Sequence, residues 1–247
     1  MLILLPPSEG KAAPAAGPAL DLSKLAYAEE LGANRVALLD RLERLAAEPR
    51  AAAVKQLGVS AGQADEVDVD AGLRGAPAAP AGAVYTGVLY DRLGLADLSP
   101  RARGRVLIAS ALWGVVRPED RIPYYRFAAK ARLDGIGPTA AFWRPALERA
   151  LPDREGELIV DMRSGAYAAA WKPRRATLLA VRAFSEAAGG GRKPVSHMAK
   201  AVRGEVARAL LKSRRVAGDA AAAAEIAAGA GFEVELDGSN LDVIVRD

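Results

Sequence analysis

Three short apolar runs constrain this chain most: LILL at residues 2–5, VLIA at 106–109 and LIVDM at 158–162. Each gives way to proline, polar or glycine-containing residues, the pattern of buried strands that end in loops. Helical patterns surround them. Leu31, Val36, Leu38, Leu39, Leu42 and Leu45 recur at three- and four-residue steps within Asp21–Glu48, predicting an amphipathic helix. Arg50–Gln56 and Ser60–Glu66 read as a shorter helix pair joined by LGVS, with Gly58 ending the first and Ser60 capping the second. Further helices are expected over Phe142–Leu151 and Ser196–Leu211. FEVEL and LDVIV flanking DGSN predict a C-terminal hairpin, and loops are expected at 76–83 and near Gly189–Gly191. Strands and helices are interspersed without a strict βαβ beat. The expected fold is therefore α+β, one compact mixed domain over residues 1–247, rather than a doubly wound sheet.

A chain of 247 residues is long enough to bury a core without staples. It has no cysteine, which excludes a disulfide framework, thiolate metal sites and a cysteine nucleophile. Its one histidine, His197, excludes sites that need two imidazoles. Neither a resident cofactor nor a dedicated metal site is expected. The longest apolar run, Val106–Val116, is well below the roughly 18 residues of a membrane span, and the N-terminal MLILLPP lacks the basic flank of a signal peptide. A cytoplasmic protein without a membrane partner is expected.

The formal net charge of +4 hides a segregation. Residues 1–100 carry −4 and residues 216–247 carry −6, whereas residues 101–215 hold 24 basic and 10 acidic side chains, a surplus of +14. Gathered on one face, that surplus attracts phosphate backbones or small polyanions.

Five stretches carry chemistry. Ser8-Glu9-Gly10-Lys11 follows a strand but lacks the spacing of a Walker loop, so Lys11 is a candidate point charge for an anion. Val84-Tyr85-Thr86-Gly87 sets two hydroxyls beside a glycine, with Tyr85 the candidate ligand contact. SALWGVVRPEDRIPYYR, residues 110–126, places Arg117, Asp120, Arg121, Tyr125 and Arg126 around two prolines, a set suited to phosphate contacts and base stacking. DMRSGAY, residues 161–167, offers Asp161 as a general base or a helix cap and Ser164 as a polar contact. His197, Lys200 and Arg203, three residues apart, lie near one face of the last long helix. A Ser-His-Asp triad finds no nucleophile elbow.

Taken in order, MLILLPPSEGK, VYTG at 84–87, SALWGVVRPEDRIPYYR at 110–126, FW at 142–143, RSGAY at 163–167 and SHMAKAVRG at 196–204 resemble the YaaA family (DUF328 or UPF0246), described as peroxide stress proteins. The chain looks like the PSEGK branch; Ala166 stands where the family motif usually has an acidic residue, and His197-Met198 where an aromatic pair is common. The resemblance implies a compact fold with a basic cleft, a helix-hairpin-helix-like element that binds DNA, and a part in limiting peroxide damage linked to intracellular iron. Residues 57–64 (LGVSAGQA), with Gly58 and Gly62, best match such a hairpin, although Asp65, Glu66, Asp68 and Asp70 follow at once.

Two functions are expected from this reading. The first is sequence-independent binding of duplex or branched DNA through Lys11, Tyr85, Arg117, Arg121, Arg126, Ser164, Lys200 and Arg203. The alternative is an enzyme acting on a nucleotide, nucleobase or other small anionic metabolite in the same cleft, with Asp161 or Asp120 as base and Tyr85 or Tyr125 as acid.

Overall fold

In the computed structural model, residues 1–186, 192–194 and 198–246 are described, so the expected loop at Gly189–Gly191 and the residues Ser196 and His197 lie outside the described residues. The three apolar runs form the centre of one sheet: β1 (Leu2–Leu5), β2 (Val106–Ser110) and β4 (Leu158–Asp161), with β3 (Gly114–Val116) between the last two in sequence. β1 lies between β2 and β4 and runs parallel to both, pairing Ile3 with Val106 on one side and Val160 on the other. The uninterrupted apolar composition follows from this position, because helices and loops cover both faces. Ile3, Leu5, Val106, Leu107, Ile108, Ile159 and Val160 have no exposed surface.

β5 (Thr177–Glu186) extends the parallel sheet beyond β4, with β6 (Arg192–Pro194) antiparallel to it. The expected C-terminal hairpin is present as β7 (Glu233–Asp237) and β8 (Asn240–Val245), with Gly238 at φ +57° in the turn. β8 docks parallel onto β5, giving the order β7-β8-β5-β4-β1-β2-β3 in an eight-stranded mixed sheet. The chain thus grows from β1 to one side, then returns to extend the sheet to the other. The carboxyl ends of β1 and β4 meet where that direction reverses, the place where open α/β sheets form ligand crevices.

Helices α1 (Ala28–Ala46) and α2 (Arg50–Leu57) lie close to the expected positions. The expected helix over Ser60–Glu66 is instead a single 3₁₀ turn, Ala61–Gln63, followed by α3 (Glu66–Ala71). Gln63 Oε1 accepts from both the backbone N–H and the hydroxyl of Ser60, closing that first turn on itself. Helix α4 (Val88–Leu93) packs on α6 (Met198–Lys212), and α6 on β5. Gly204 permits that approach, since a Cβ there would strike the Leu89 carbonyl oxygen. Helix α5 (Thr139–Ala150) packs against α1 and carries Pro145 internally. Its Trp143 donates to the Ala111 carbonyl at 2.7 Å and covers Gly114, where φ is +74° and an added Cβ would lie 2.9 Å from the ring. Helix α7 (Ala220–Gly229) starts at Asp219, whose carboxylate caps Ala222 N–H at 2.7 Å. Among the described residues no helix is long and apolar enough to cross a membrane.

Candidate functional site

A cleft of about 780 Å³ opens beside the carboxyl ends of β1 and β4. Pro6–Lys11 leave β1 along one wall, Thr86–Tyr90 and Tyr125–Lys130 form the floor and far wall, and Ser164 and Tyr167 enter after β4. Lys200 and Arg203 approach from α6, and Leu57, Gly58, Val59 and Gln63 form a lip. Among the described residues Arg126, Lys130, Lys200, Arg203 and Lys11 are its cations, against Glu9 as the one acidic lining residue.

The two hydroxyl- and lysine-bearing motifs near the start of the chain are stapled together. Ala12 N–H donates to Val84 O at 2.8 Å, Thr86 N–H donates to the Ser8 hydroxyl at 3.1 Å, and Lys11 bridges Tyr85 through the backbone. This fixes the ammonium of Lys11 4.5 Å from the centre of the Tyr125 ring, with its hydrogen bond going to Ser8 O at 2.9 Å. Burial, then the nearby Arg126 charge, lowers its pKa to about 8; Asp70, Glu66 and Glu9 pull weakly the other way.

Beneath Lys11 runs a buried file of hydroxyls: Ser110 to Tyr125 at 2.8 Å and Tyr125 to Tyr85 at 2.7 Å. Ser110 Oγ already accepts from Leu112 and Trp113 N–H, at 3.2 and 3.1 Å. Both lone pairs being used, it donates to Tyr125, which therefore donates to Tyr85. Burial raises the pKa of both tyrosines. Behind the same wall, Asp70 accepts from Arg126 N–H at 2.8 Å and has its other oxygen buried without a partner. Burial raises its pKa to about 7, Arg126 N–H opposes, and Glu66 reinforces. Glu66 accepts from Tyr124 at 3.0 Å and lies 3.7 Å from Arg126 Nε.

The whole of this arrangement is carried on a chain whose first 234 residues match the family model described as Peroxide stress protein YaaA. The chain belongs to the YaaA family. A UPF0246 protein of Streptomyces coelicolor is 40% identical to it over 259 residues, 100% of this chain and 99% of the relative. One from Corynebacterium efficiens is 42% identical over 241 residues, 96% of each.

Within this YaaA chain the expected site residues separate. Lys11, Tyr125, Arg126, Ser164, Lys200 and Arg203 line the cleft, and Tyr85 lies under it. Arg117 points elsewhere, donating to Gly104 O at 3.3 Å and resting 6.0 Å from the Tyr27 ring. Arg121 donates to Ala78 O at 3.1 Å. Asp120 ties a turn, accepting from Ala26 and Arg117 N–H, each at 2.9 Å. Asp161 is buried in a two-pronged pair with Arg163, 2.8 Å at each prong, and also accepts Arg163 N–H. Arg163 in turn donates to Trp171 O at 2.9 Å, so the pair holds the loop that presents Ser164 and Tyr167. In the sequence Thr86 and Tyr167 stand only as hydroxyls within motifs, Glu66 and Asp70 only as acids after the candidate hairpin, and nothing marks Lys130. Among the described residues no group of three or more His, Asp or Glu side chains is arranged to hold a metal.

Proposed function

We propose that the cleft binds nucleic-acid phosphates without reading sequence, and that this serves the peroxide stress role of the family. One observation carries the reading: five cations from three separate stretches of the chain converge on one cavity that, among the described residues, contains a single acid. The cavity volume falls within the range of about 300–1,000 Å³ typical of small-ligand pockets. It therefore suits one or two nucleotides of a splayed strand better than a length of duplex, with the partly exposed Tyr167 available for contact with a base. The segment 57–64, with Gly58 at φ +72°, forms a lip of the cleft, and the N–H groups of Gly58, Val59 and Gln63 there are already bonded to the Val54 and Ser60 carbonyls. Asp70 and Glu66 do not oppose phosphate binding, because Asp70 is buried and Glu66 faces Tyr124 and Arg126.

The test is a titration of fluorescent single-stranded, duplex and branched oligonucleotides at several salt concentrations. Affinity is expected to fall steeply with salt and to depend little on sequence, and replacing Lys200 by Ala should reduce the log–log slope by about one. Binding that is absent or indifferent to salt overturns the reading. A second reading, turnover of a small anionic metabolite, is favoured by the desolvated Lys11 deep in the same cleft. It predicts saturable binding of mononucleotides or other phosphate esters with no gain from a longer strand.

A further inference from the structure

We infer that Lys11 is an amine nucleophile, and that the cleft captures a phosphate-bearing aldehyde or ketone as an imine on its Nζ. This inference rests on the anion-binding reading of the cleft and adds a covalent step to it.

The geometry is that of a reactive amine rather than of a structural cation. Lys11 lies on the cleft wall, held by a single hydrogen bond to Ser8 O and by the Tyr125 ring face, and no carboxylate among the described residues lies within ion-pairing distance of it. A lysine used only for charge is a surface or paired group; one walled by aromatics and set beside a second cation is the arrangement that yields a neutral amine. The groups facing it are Arg126, which favours the neutral form, and Asp70, Glu66 and Glu9, which favour the charged one; burial outweighs these, leaving a pKa of about 8. Arg126, Lys130, Lys200 and Arg203 share the cavity and can hold the phosphate while the carbonyl reaches Nζ.

In the step itself, the lone pair of Nζ adds to the carbonyl carbon, and the C=O π pair moves to oxygen. That oxygen takes up a proton as nitrogen gives one up. The resulting carbinolamine then loses the oxygen as water, leaving C=Nζ. Amine and carbonyl compound give imine and water, with no change of oxidation state. The carbonyl can come from a free sugar phosphate or from an opened sugar in a nucleic-acid strand; the chemistry is shared.

The full chain is incubated at pH 8 with sodium cyanoborohydride and one of two probes, glyceraldehyde 3-phosphate or a single-stranded oligonucleotide carrying one aldehyde-bearing abasic sugar, and adducts are mapped by peptide mass spectrometry. Expected is labelling of Lys11 about tenfold or more above the other lysines, since a group titrating near 8 is far more deprotonated there than one near 10.4. Labelling should rise with pH and level off just above 8, and Lys11→Arg should abolish it while the remaining lysines react as before. Because mapping on the unaltered chain already tests the site, the inference does not depend on how well that variant folds. Which probe labels identifies the source of the carbonyl. Equal, slow labelling of all lysines, or none with either probe, overturns the inference. Intact oligonucleotide binding measured on the same sample tells that failure from failure of the cleft reading, since binding without labelling removes the imine alone.

Discussion

The two central parallel strands β1 and β4 lie side by side, and each ends in a buried charged cluster, yet the clusters are opposites. After β4, the Asp161 carboxylate receives the two-pronged guanidinium of Arg163 and that residue's own N–H, so both oxygens are engaged. After β1, Lys11 faces Tyr125 and Arg126, while Asp70 and Glu66 behind them each keep a buried oxygen without a partner. A satisfied pair has nothing left to offer a ligand. An unsatisfied set shifts its own proton affinities and can be discharged by an incoming group. The lesson is to seek function where the hydrogen-bond accounting stays open, rather than where charge is densest.

Breaking the closed side should have the largest effect. Arg163→Ala strands the Asp161 carboxylate in the sheet and is expected to cost about 3–5 kcal/mol, measured by urea unfolding. The same change releases the loop that carries Ser164 and Tyr167. A loss under about 1 kcal/mol would mean the pair is not the anchor its geometry indicates. The open side should respond differently, through pH. Asp70 has a folded pKa of about 7 against an ordinary 3.8, so the folded state holds its proton more tightly. Its contribution to stability is present below about pH 4 and is lost as pH rises toward 7. Lys11 works the other way: its folded pKa is lowered from 10.5 to about 8, so the unfolded chain binds more protons between those values and stability recovers as pH rises through that window. Asp70→Asn keeps an acceptor for Arg126 N–H and should remove the acid-side slope, worth on the order of 4 kcal/mol in total. An unchanged stability profile from pH 4 to 8 would show that Asp70 is not the group responsible.

The closed and open sides were not equally legible. Asp161 and Arg163 are legible as polar residues that follow an apolar strand, but nothing local says that two residues, two apart, will turn back on each other. Asp70 and Glu66 stand in the sequence only as acids that follow the candidate hairpin, and the alternation of EVDVDA does not mark either as buried. Only when the segment is helical do Val67 and Asp70, three apart, turn to the same buried side. The central strands were readable because unbroken apolar runs need no partner to identify them. The longest strand, Thr177–Glu186, was not, since Arg182 interrupts its pattern. The charge is tolerated there by Asp242 at 2.6 Å and Asp237 at 2.9 Å, more than fifty residues away. Helix Ala220–Gly229 was missed for the reverse reason: almost uniform alanine offers no periodicity, and its start is marked only by the Asp219 cap. In residues 110–126, tyrosines, serine and Asp120 build the scaffold and Arg126 alone among the arginines there reaches the cleft.

Removing the lysine sharpens the contrast in binding rather than in folding. Lys11→Met keeps the aliphatic stem against Tyr125 and deletes a desolvated cation, so stability at neutral pH should not fall and is expected to rise. Affinity for a phosphate ester should fall about 10- to 100-fold, the equivalent of one charge-assisted hydrogen bond. A variant that binds as tightly as the parent would place the anion on Lys200 and Arg203 instead.

The hydroxyl file beneath Lys11 gives the finest test, because it is closed chemistry lying directly under the open site. Tyr125→Phe keeps the ring that faces Lys11 and removes only the oxygen linking Ser110 to Tyr85. Ser110 then loses its acceptor and Tyr85 its donor, both buried, which should cost about 1–2 kcal/mol in chemical denaturation. Anion affinity should stay within about twofold, since the ring face and the Lys11–Ser8 hydrogen bond are untouched. If affinity collapsed while stability held, the file would have to belong to the open side, polarising the Lys11 pocket rather than bracing the sheet end beneath it.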